Sequence, residues 1–178
     1  ADGRPGVNPI HPDLAPLAHA AKSFAKEFRT TGRVLDLLPA LRDAVGKKTG
    51  WLRREHRVGD PTRYMRHLIY VDPDDDFVIT AITWLPGQQS PVHGHYVWCA
   101  YGIAEGELTE EQFRAPGALL ETVKTTVIRA GELADFDLGG PIYHRVSNRT
   151  GLPLVTLHVY GVAADRLTTG INRLYAEA

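Results

Sequence analysis

The chain has 178 residues, 43% hydrophobic and 23% charged, with a formal net charge of −1. That length suits one domain with a full hydrophobic core. The charge balance leaves no electrostatic footprint for nucleic acid or an anionic membrane, and no apolar run approaches the roughly 18 residues of a membrane span.

The opening "ADGRPGVNPIHPD" lacks the basic and apolar regions of a secretory signal. A single cysteine makes no internal disulfide, and a reducing cytoplasm is the default expectation. Residues 1–12, rich in Gly and Pro, are expected to form an irregular arm. Between Asp13 and Arg29, Leu14, Leu17, Ala18, Ala21, Phe24, Ala25 and Phe28 recur on one side of a helix. The "TTG" at Thr30 to Gly32 breaks that pattern. Val34, Leu37, Leu38, Leu41 and Val45 then predict a second helix ending in "GKKTG", with Pro39 as a candidate kink.

Beyond about residue 60 the texture changes. "FVITAITWL", "YVWCAYGI", "ELTEEQF", "ETVKTTVI", "PIYHRVS" and "LVTLHVYGV" are rich in β-branched and aromatic residues and are punctuated by Gly-containing turns. The expected architecture is mainly β, a barrel or sandwich, with the N-terminal helices packed on it. Residues 1–60 hold the arm and helices, and residues 61–178 the barrel, within one domain.

Of the eight histidines, His11, His19 and His56 fit surface or packing roles, and His67 is ambiguous. His93 and His95 differ. Strand alternation puts residues i and i+2 on one face, so two imidazoles converge above the sheet. Imidazole is the commonest protein metal ligand. The plain alternative is a pair of partly exposed strand histidines.

The context sharpens the choice. Gly87 lies six residues before His93, and Gly106 eleven after His95. This spacing resembles the first motif of the cupin superfamily, and "HRVSN", with His144 and Asn148, resembles the second. The resemblance implies a double-stranded β-helix, or jelly-roll barrel, that brings His93, His95 and His144 together. A standard cupin keeps a glutamate ligand a few residues after the His-x-His pair. Here Cys99 and Ala100 stand there. A set of three neutral histidines leaves a divalent metal its full charge, favours anionic ligands such as a thiolate, and leaves positions open for substrate and dioxygen.

Several segments together resemble one cupin family, the cysteine dioxygenase-like thiol dioxygenases, over roughly Tyr64 to Gly161: "YMRHLI", "HGHYVWC", "GELTE", "HRVSN" and "TLHVY". The resemblance implies that His93, His95 and His144 hold Fe(II), with dioxygen as co-substrate. It implies that Arg66 binds a substrate carboxylate, beside Tyr64 in the same pocket; a surface salt bridge is the plain alternative for Arg66. Tyr160 would point its hydroxyl at substrate or oxygen, oriented by His158. Thr156 stands where the family usually has serine.

Cys99 aligns with the cysteine that forms a thioether with the active-site tyrosine in some members. Three residues separate it from His95, as in bacterial relatives, where animal enzymes have four. A buried free thiol is the alternative. The implied reaction is oxygenation of a small thiol to a sulfinate, with L-cysteine the first choice. The runner-up is 3-mercaptopropionate or another thiol carboxylate, whose group typically has Gln in place of Arg66 and a carboxylate-binding arginine beyond "HVYG". Here "VAADRLTTGINR" follows, so Arg166 and Arg173 are candidate second anchors. A cysteine-oxidising enzyme of specialised metabolism with a diverted product is a further alternative. So is a non-catalytic cupin that binds metal or a small ligand. Oligomeric state is not legible in the sequence.

Overall fold

The computed structural model of the protein describes residues 9–31, 37–115, 119–135, 137 and 142–175. Most of the expected arm, together with Val34 and Pro141, lies outside the described residues. A 3-10 turn at Pro12–Leu14 leads into α1 (Ala15–Thr31), and α2 spans Leu38–Gly46. Leu14, Leu17, Ala18, Ala21, Phe24 and Ala25 are all buried, which is the one-sided face the spacing predicts. Pro39 does not kink α2, because it sits in the first turn. There its missing N–H has no intrahelical partner to lose.

Nine strands follow: β1 (Met65–Val71), β2 (Val78–Trp84), β3 (His93–His95), β4 (Cys99–Glu105), β5 (Glu107–Arg114), β6 (Glu121–Arg129), β7 (Tyr143–Ser147), β8 (Leu154–Tyr160) and β9 (Asn172–Leu174). They form a four-stranded sheet, β1-β2-β8-β4, and a five-stranded sheet, β6-β5-β7-β3-β9. Adjacent strands within each sheet pair antiparallel. The ladders do not close into a barrel: among the described residues the two sheets stack as a double-stranded β-helix with separate edges. Bridges from Leu133 to Gly102 and from Asp137 to Cys99 cover part of the β4 edge.

Every residue of β2 and β8 is buried, because the first sheet is covered on both faces. Ile79, Ala81, Val155, Leu157 and Val159 pack against the helices with Phe24, Leu41 and Trp51. The alternate residues Val78, Ile82, Trp84, Leu154 and Tyr160 share a second cluster with Leu108, Ile128 and Val146 of the other sheet. Period-two alternation along β8 therefore aims Thr156, His158 and Tyr160 between the sheets. Gly106 makes the β4–β5 turn at φ +87°, and a Cβ there would press on Leu154 at 3.0 Å. Glycine at this motif position thus answers both the backbone conformation and a close approach.

Candidate metal centre

β3 is only three residues long, and its register sets the site. His93 pairs with His144 of β7, while Gly94 and His95 pair with Arg173 and Asn172 of β9. One ring nitrogen from each of His93, His95 and His144 lies within 4.8 Å of the other two. Cys99 is not in this group. His93 and His95 are 6% and 3% exposed, so the cluster is held within the protein.

Each ring has an outer partner. His93 Nδ1 lies 2.9 Å from the Pro91 carbonyl oxygen. His95 Nδ1 lies 2.7 Å from Asp137 Oδ2, and His144 Nδ1 lies 2.8 Å from Glu110 Oε1. A carbonyl and a carboxylate accept, so the Nδ1 positions carry the protons and the Nε2 lone pairs point inward. His93 Nε2 and His144 Nε2 stand 3.2 Å apart. At that distance the two nitrogens either share a proton or stand beside one another as ligands of one metal ion. The donor set therefore fits a divalent first-row metal ion, which imidazole nitrogen suits. Burial, with the neighbouring His144 and His95, depresses the His93 pKa to about 3. His95 is likewise lowered, chiefly by burial. In the ordinary pH range both rings are neutral and ready to ligate.

A second acidic cluster, Asp72, Asp74 and Asp76, is filled by an ammonium. Lys22 Nζ lies 2.7, 2.7 and 2.8 Å from one oxygen of each. It ties α1 to the β1–β2 turn.

The histidines open onto a small cavity also lined by Tyr64, Arg66, Trp84, Cys99, Tyr101, His158, Tyr160 and Asn172. The structure thus gathers Tyr64, Arg66, His93, His95, Cys99, His144, His158 and Tyr160 in one place, with Thr156 buried behind His158. Arg66 Cζ sits 5.9 Å from the Tyr160 ring centroid. Its Nη1 donates to the Leu167 carbonyl at 3.3 Å and its guanidinium also approaches the Tyr160 hydroxyl, while its buried Nε has no hydrogen-bond partner among the described residues. Tyr64 stacks on Trp84 with centroids 4.4 Å apart. Of the two candidate second anchors, Arg173 lies over the Tyr143 ring at 4.8 Å and Arg166 sits in a 3-10 turn; neither lines the cavity.

A polar ladder runs along β8. The Tyr160 hydroxyl is 3.0 Å from His158 Nδ1, and His158 Nε2 is 2.8 Å from Thr156 Oγ1. Trp84 Nε1 donates to Thr156 Oγ1 at 3.1 Å. Burial holds the His158 pKa well below its ordinary value, with Arg66 adding to the effect. Burial raises the Tyr160 phenol, Cys99 adds to this, and Arg66 opposes it. Cys99 and Tyr160 are register partners across β4 and β8, so their side chains share a face. The Cys99 thiol is free and buried, and burial pushes its pKa up.

Sequence reasoning missed Glu110, Asp137, Tyr101 and Asn172. Glu110 left one signal, as a carboxylate two residues after Leu108 in a strand whose Leu108 is fully buried. Asp137 lies outside any strand, where no periodicity marks it.

Two stacked antiparallel sheets with three inward histidines on β3 and β7 define a cupin-type protein with a ligand set suited to a metal ion. The chain belongs to the cysteine dioxygenase type I family, whose pattern it matches over residues 23–166. Among solved structures it is similar to TT1209 from Thermus thermophilus, at 20% identity and TM-score 0.50, covering 61% of this chain and 92% of that one. It is also similar to a conserved double-stranded β-helix protein from Klebsiella pneumoniae, at 20% identity and TM-score 0.48, covering 62% and 86%. An RmlC-like cupin from Methanocaldococcus jannaschii aligns at 14% identity and TM-score 0.47, covering 66% and 92%. No helix among the described residues is long and apolar enough to cross a membrane.

Proposed function

We propose that the protein is an Fe(II)-dependent thiol dioxygenase that converts a small thiol carboxylate, L-cysteine first, to its sulfinate. The observation that carries the reading is one cavity holding three metal-facing histidines and Arg66, whose buried Nε lacks a partner among the described residues. The membership of the chain in the cysteine dioxygenase type I family supports it. In the overall reaction the thiol and dioxygen combine, both oxygen atoms end on sulfur, and one proton is released as the sulfinate ionises.

His93, His95 and His144 would hold the iron, which when bound supplies the redox chemistry between thiolate and dioxygen. Arg66 offers its planar fork to the substrate carboxylate. No carboxylate is found among the described residues lining the cavity, so an anionic substrate meets no like charge there. The buried ladder controls a proton. If Thr156 donates to His158 Nε2, then His158 Nδ1–H donates to the Tyr160 oxygen. The phenol proton is then free to point at a bound anion. In the other tautomer Tyr160 donates to His158 instead, and its proton turns away from the cavity. The raised Tyr160 pKa keeps that proton in place at neutral pH.

The register of Cys99 opposite Tyr160 supports a thioether crosslink between them, formed by oxidative loss of two hydrogens with dioxygen as oxidant. Intact-mass and peptide analysis after turnover tests this. A joined peptide supports it, and two unmodified peptides refute it. A lone cysteine and an Fe(II) cofactor both suit a reducing compartment, so we place the reaction in the cytoplasm.

The test of the main reading is oxygen uptake by iron-loaded protein over L-cysteine, 3-mercaptopropionate and cysteamine, with mass spectrometry of the products. Cysteine sulfinate is the expected product. Faster turnover of 3-mercaptopropionate would move the assignment to that substrate. A cysteine product other than the sulfinate would point to a diverted reaction. Absence of thiol-dependent uptake would leave a metal-binding module.

A further inference from the structure

The histidines alone do not complete this centre. Glu110 is 3% exposed and lies on β5, in the sheet that carries His144. Its Oε1 accepts two hydrogen bonds, from His144 Nδ1 at 2.8 Å and from the Tyr101 hydroxyl at 2.7 Å. Gln112 Nε2 approaches its other oxygen at 3.3 Å. Each of these three hydrogen-bond partners donates to the carboxylate. Tyr101 sits on β4 in the opposite sheet, and its ring stacks on His158 at 4.7 Å with an interplanar angle of 9°. The contact therefore bridges the two sheets, joining a metal-facing histidine to the Thr156–His158–Tyr160 ladder. On the other flank Asp137 accepts from His95 at 2.7 Å. Asp137 is pinned there by reciprocal backbone bonds with Cys99, of 2.8 and 3.0 Å.

We propose that Glu110, held in place by the Tyr101 hydroxyl, is a positioning residue for the metal centre. It fixes the tautomer and orientation of His144 and supplies through that ring part of the negative charge that a directly ligating carboxylate would otherwise provide. The proposal rests on the metal-binding part of the proposed function, not on the thiol chemistry. A carboxylate on the far nitrogen makes an imidazole a stronger donor, and loss of such a partner commonly weakens metal affinity by roughly 10–100-fold. Tyr101 acts through Glu110, so its effect should vanish once Glu110 is changed.

The experiment is metal affinity by chelator competition with Fe(II) under anaerobic conditions and with Co(II), for wild type, Glu110→Gln, Tyr101→Phe and the double variant. The Co(II) absorption spectrum and the Fe(III)/Fe(II) midpoint potential are read on the same proteins. Glu110→Gln keeps the shape but removes the charge. It should weaken affinity by at least about tenfold, shift the Co(II) bands and raise the potential. Tyr101→Phe keeps the stack on His158 and should move each readout the same way by less. The double variant should match Glu110→Gln alone. Affinity within about threefold of wild type, with unchanged Co(II) bands, overturns the proposal. So does a double variant that shows the two losses multiplied. If Glu110→Gln does not fold, Tyr101→Phe carries the decision: an unchanged affinity and spectrum overturn the proposal. These readouts need no thiol. Failed oxygen uptake with intact Glu110 effects would defeat the thiol dioxygenase reading and leave this one standing.

Discussion

Arg66 offers the sharpest test of substrate anchoring. Replacing it with Met keeps an unbranched apolar stem but removes the fork. A carboxylate held by that fork gains two charge-assisted hydrogen bonds, each worth about 1.5–3 kcal/mol. Taking a total of about 3–4 kcal/mol, at about 1.4 kcal/mol per factor of ten, kcat/KM for L-cysteine should fall by roughly 10²–10³. The anchor is remote from sulfur, so it binds ground and transition states alike, and most of the loss should appear in KM. Cysteamine, which lacks the carboxylate, is the control and should lose almost nothing. Stability should move the other way. The wild-type guanidinium buries an Nε without a partner among the described residues, a cost of about 1 kcal/mol or more. The Nη1 contact with Leu167 and the approach of the guanidinium to Tyr160 offset only part of that cost. Arg66→Met should therefore raise Tm by about 1–3 °C in a chain of this size. Oxygen-electrode kinetics and a thermal melt read both arms. An equal loss for cysteamine, or a clear fall in Tm, would refute the reasoning and make Arg66 a structural residue.

Other perturbations separate fold from site. Lys22→Met removes the ammonium from the nearly buried Asp72 and Asp76 and should cost about 2–3 kcal/mol in denaturant melts, with kcat unchanged; a neutral result would mean the ammonium adds nothing to the fold. In metal-free protein, buried His158 stays neutral while the unfolded chain takes a proton near its ordinary pKa of 6.5. Stability should therefore fall as pH drops below about 6.5, at up to about 1.4 kcal/mol per pH unit for this one group. His158→Gln should flatten that slope without abolishing it, since His93 and His95 are shifted the same way; an identical slope would contradict the assignment. Adding Fe(II) or Co(II) at about a hundredfold excess over Kd should stabilise the fold by about 2.7 kcal/mol, raising Tm by about 5–10 °C. His144→Ala should erase that rise, and a full rise in the variant would move the metal elsewhere.

The parts legible in the sequence are those whose physics is local. From Val155 on, "VTLHVY" alternates, so β8 and the shared face of Thr156, His158 and Tyr160 follow from period two. "HGH" is a strand pair by the same rule, and α1 is a one-sided helix. The residues that escaped depend on partners far away in the chain. β1, "MRHLIYV", is an edge strand with irregular burial, so its pattern blurs. β9 is three residues that become a strand only because β3 lies beside them. Pro39 read as a kink because the start of α2 carries no side-chain cap to mark it. Asp137 reaches His95 from outside the nine strands, 42 residues away in sequence.

That last class of residue changes the electrostatic argument. Cys99 in place of a ligating carboxylate implies a metal facing three neutral donors with its charge uncompensated. In the folded protein Asp137 and Glu110 stand directly behind two of those donors, while His93 has only a neutral carbonyl. The attraction between unit charges is about 4 kcal/mol at about 4 Å with an effective dielectric near 20, and it falls inversely with distance. Carboxylates acting through an imidazole therefore offset part of the metal's charge but less than a direct ligand would. They also occupy no coordination position. With a metal bound, the arrangement would leave the face toward Arg66 and Tyr160 open to an anionic substrate and steady the ion from behind. A carboxylate restored at Cys99 would close that face from within the cavity.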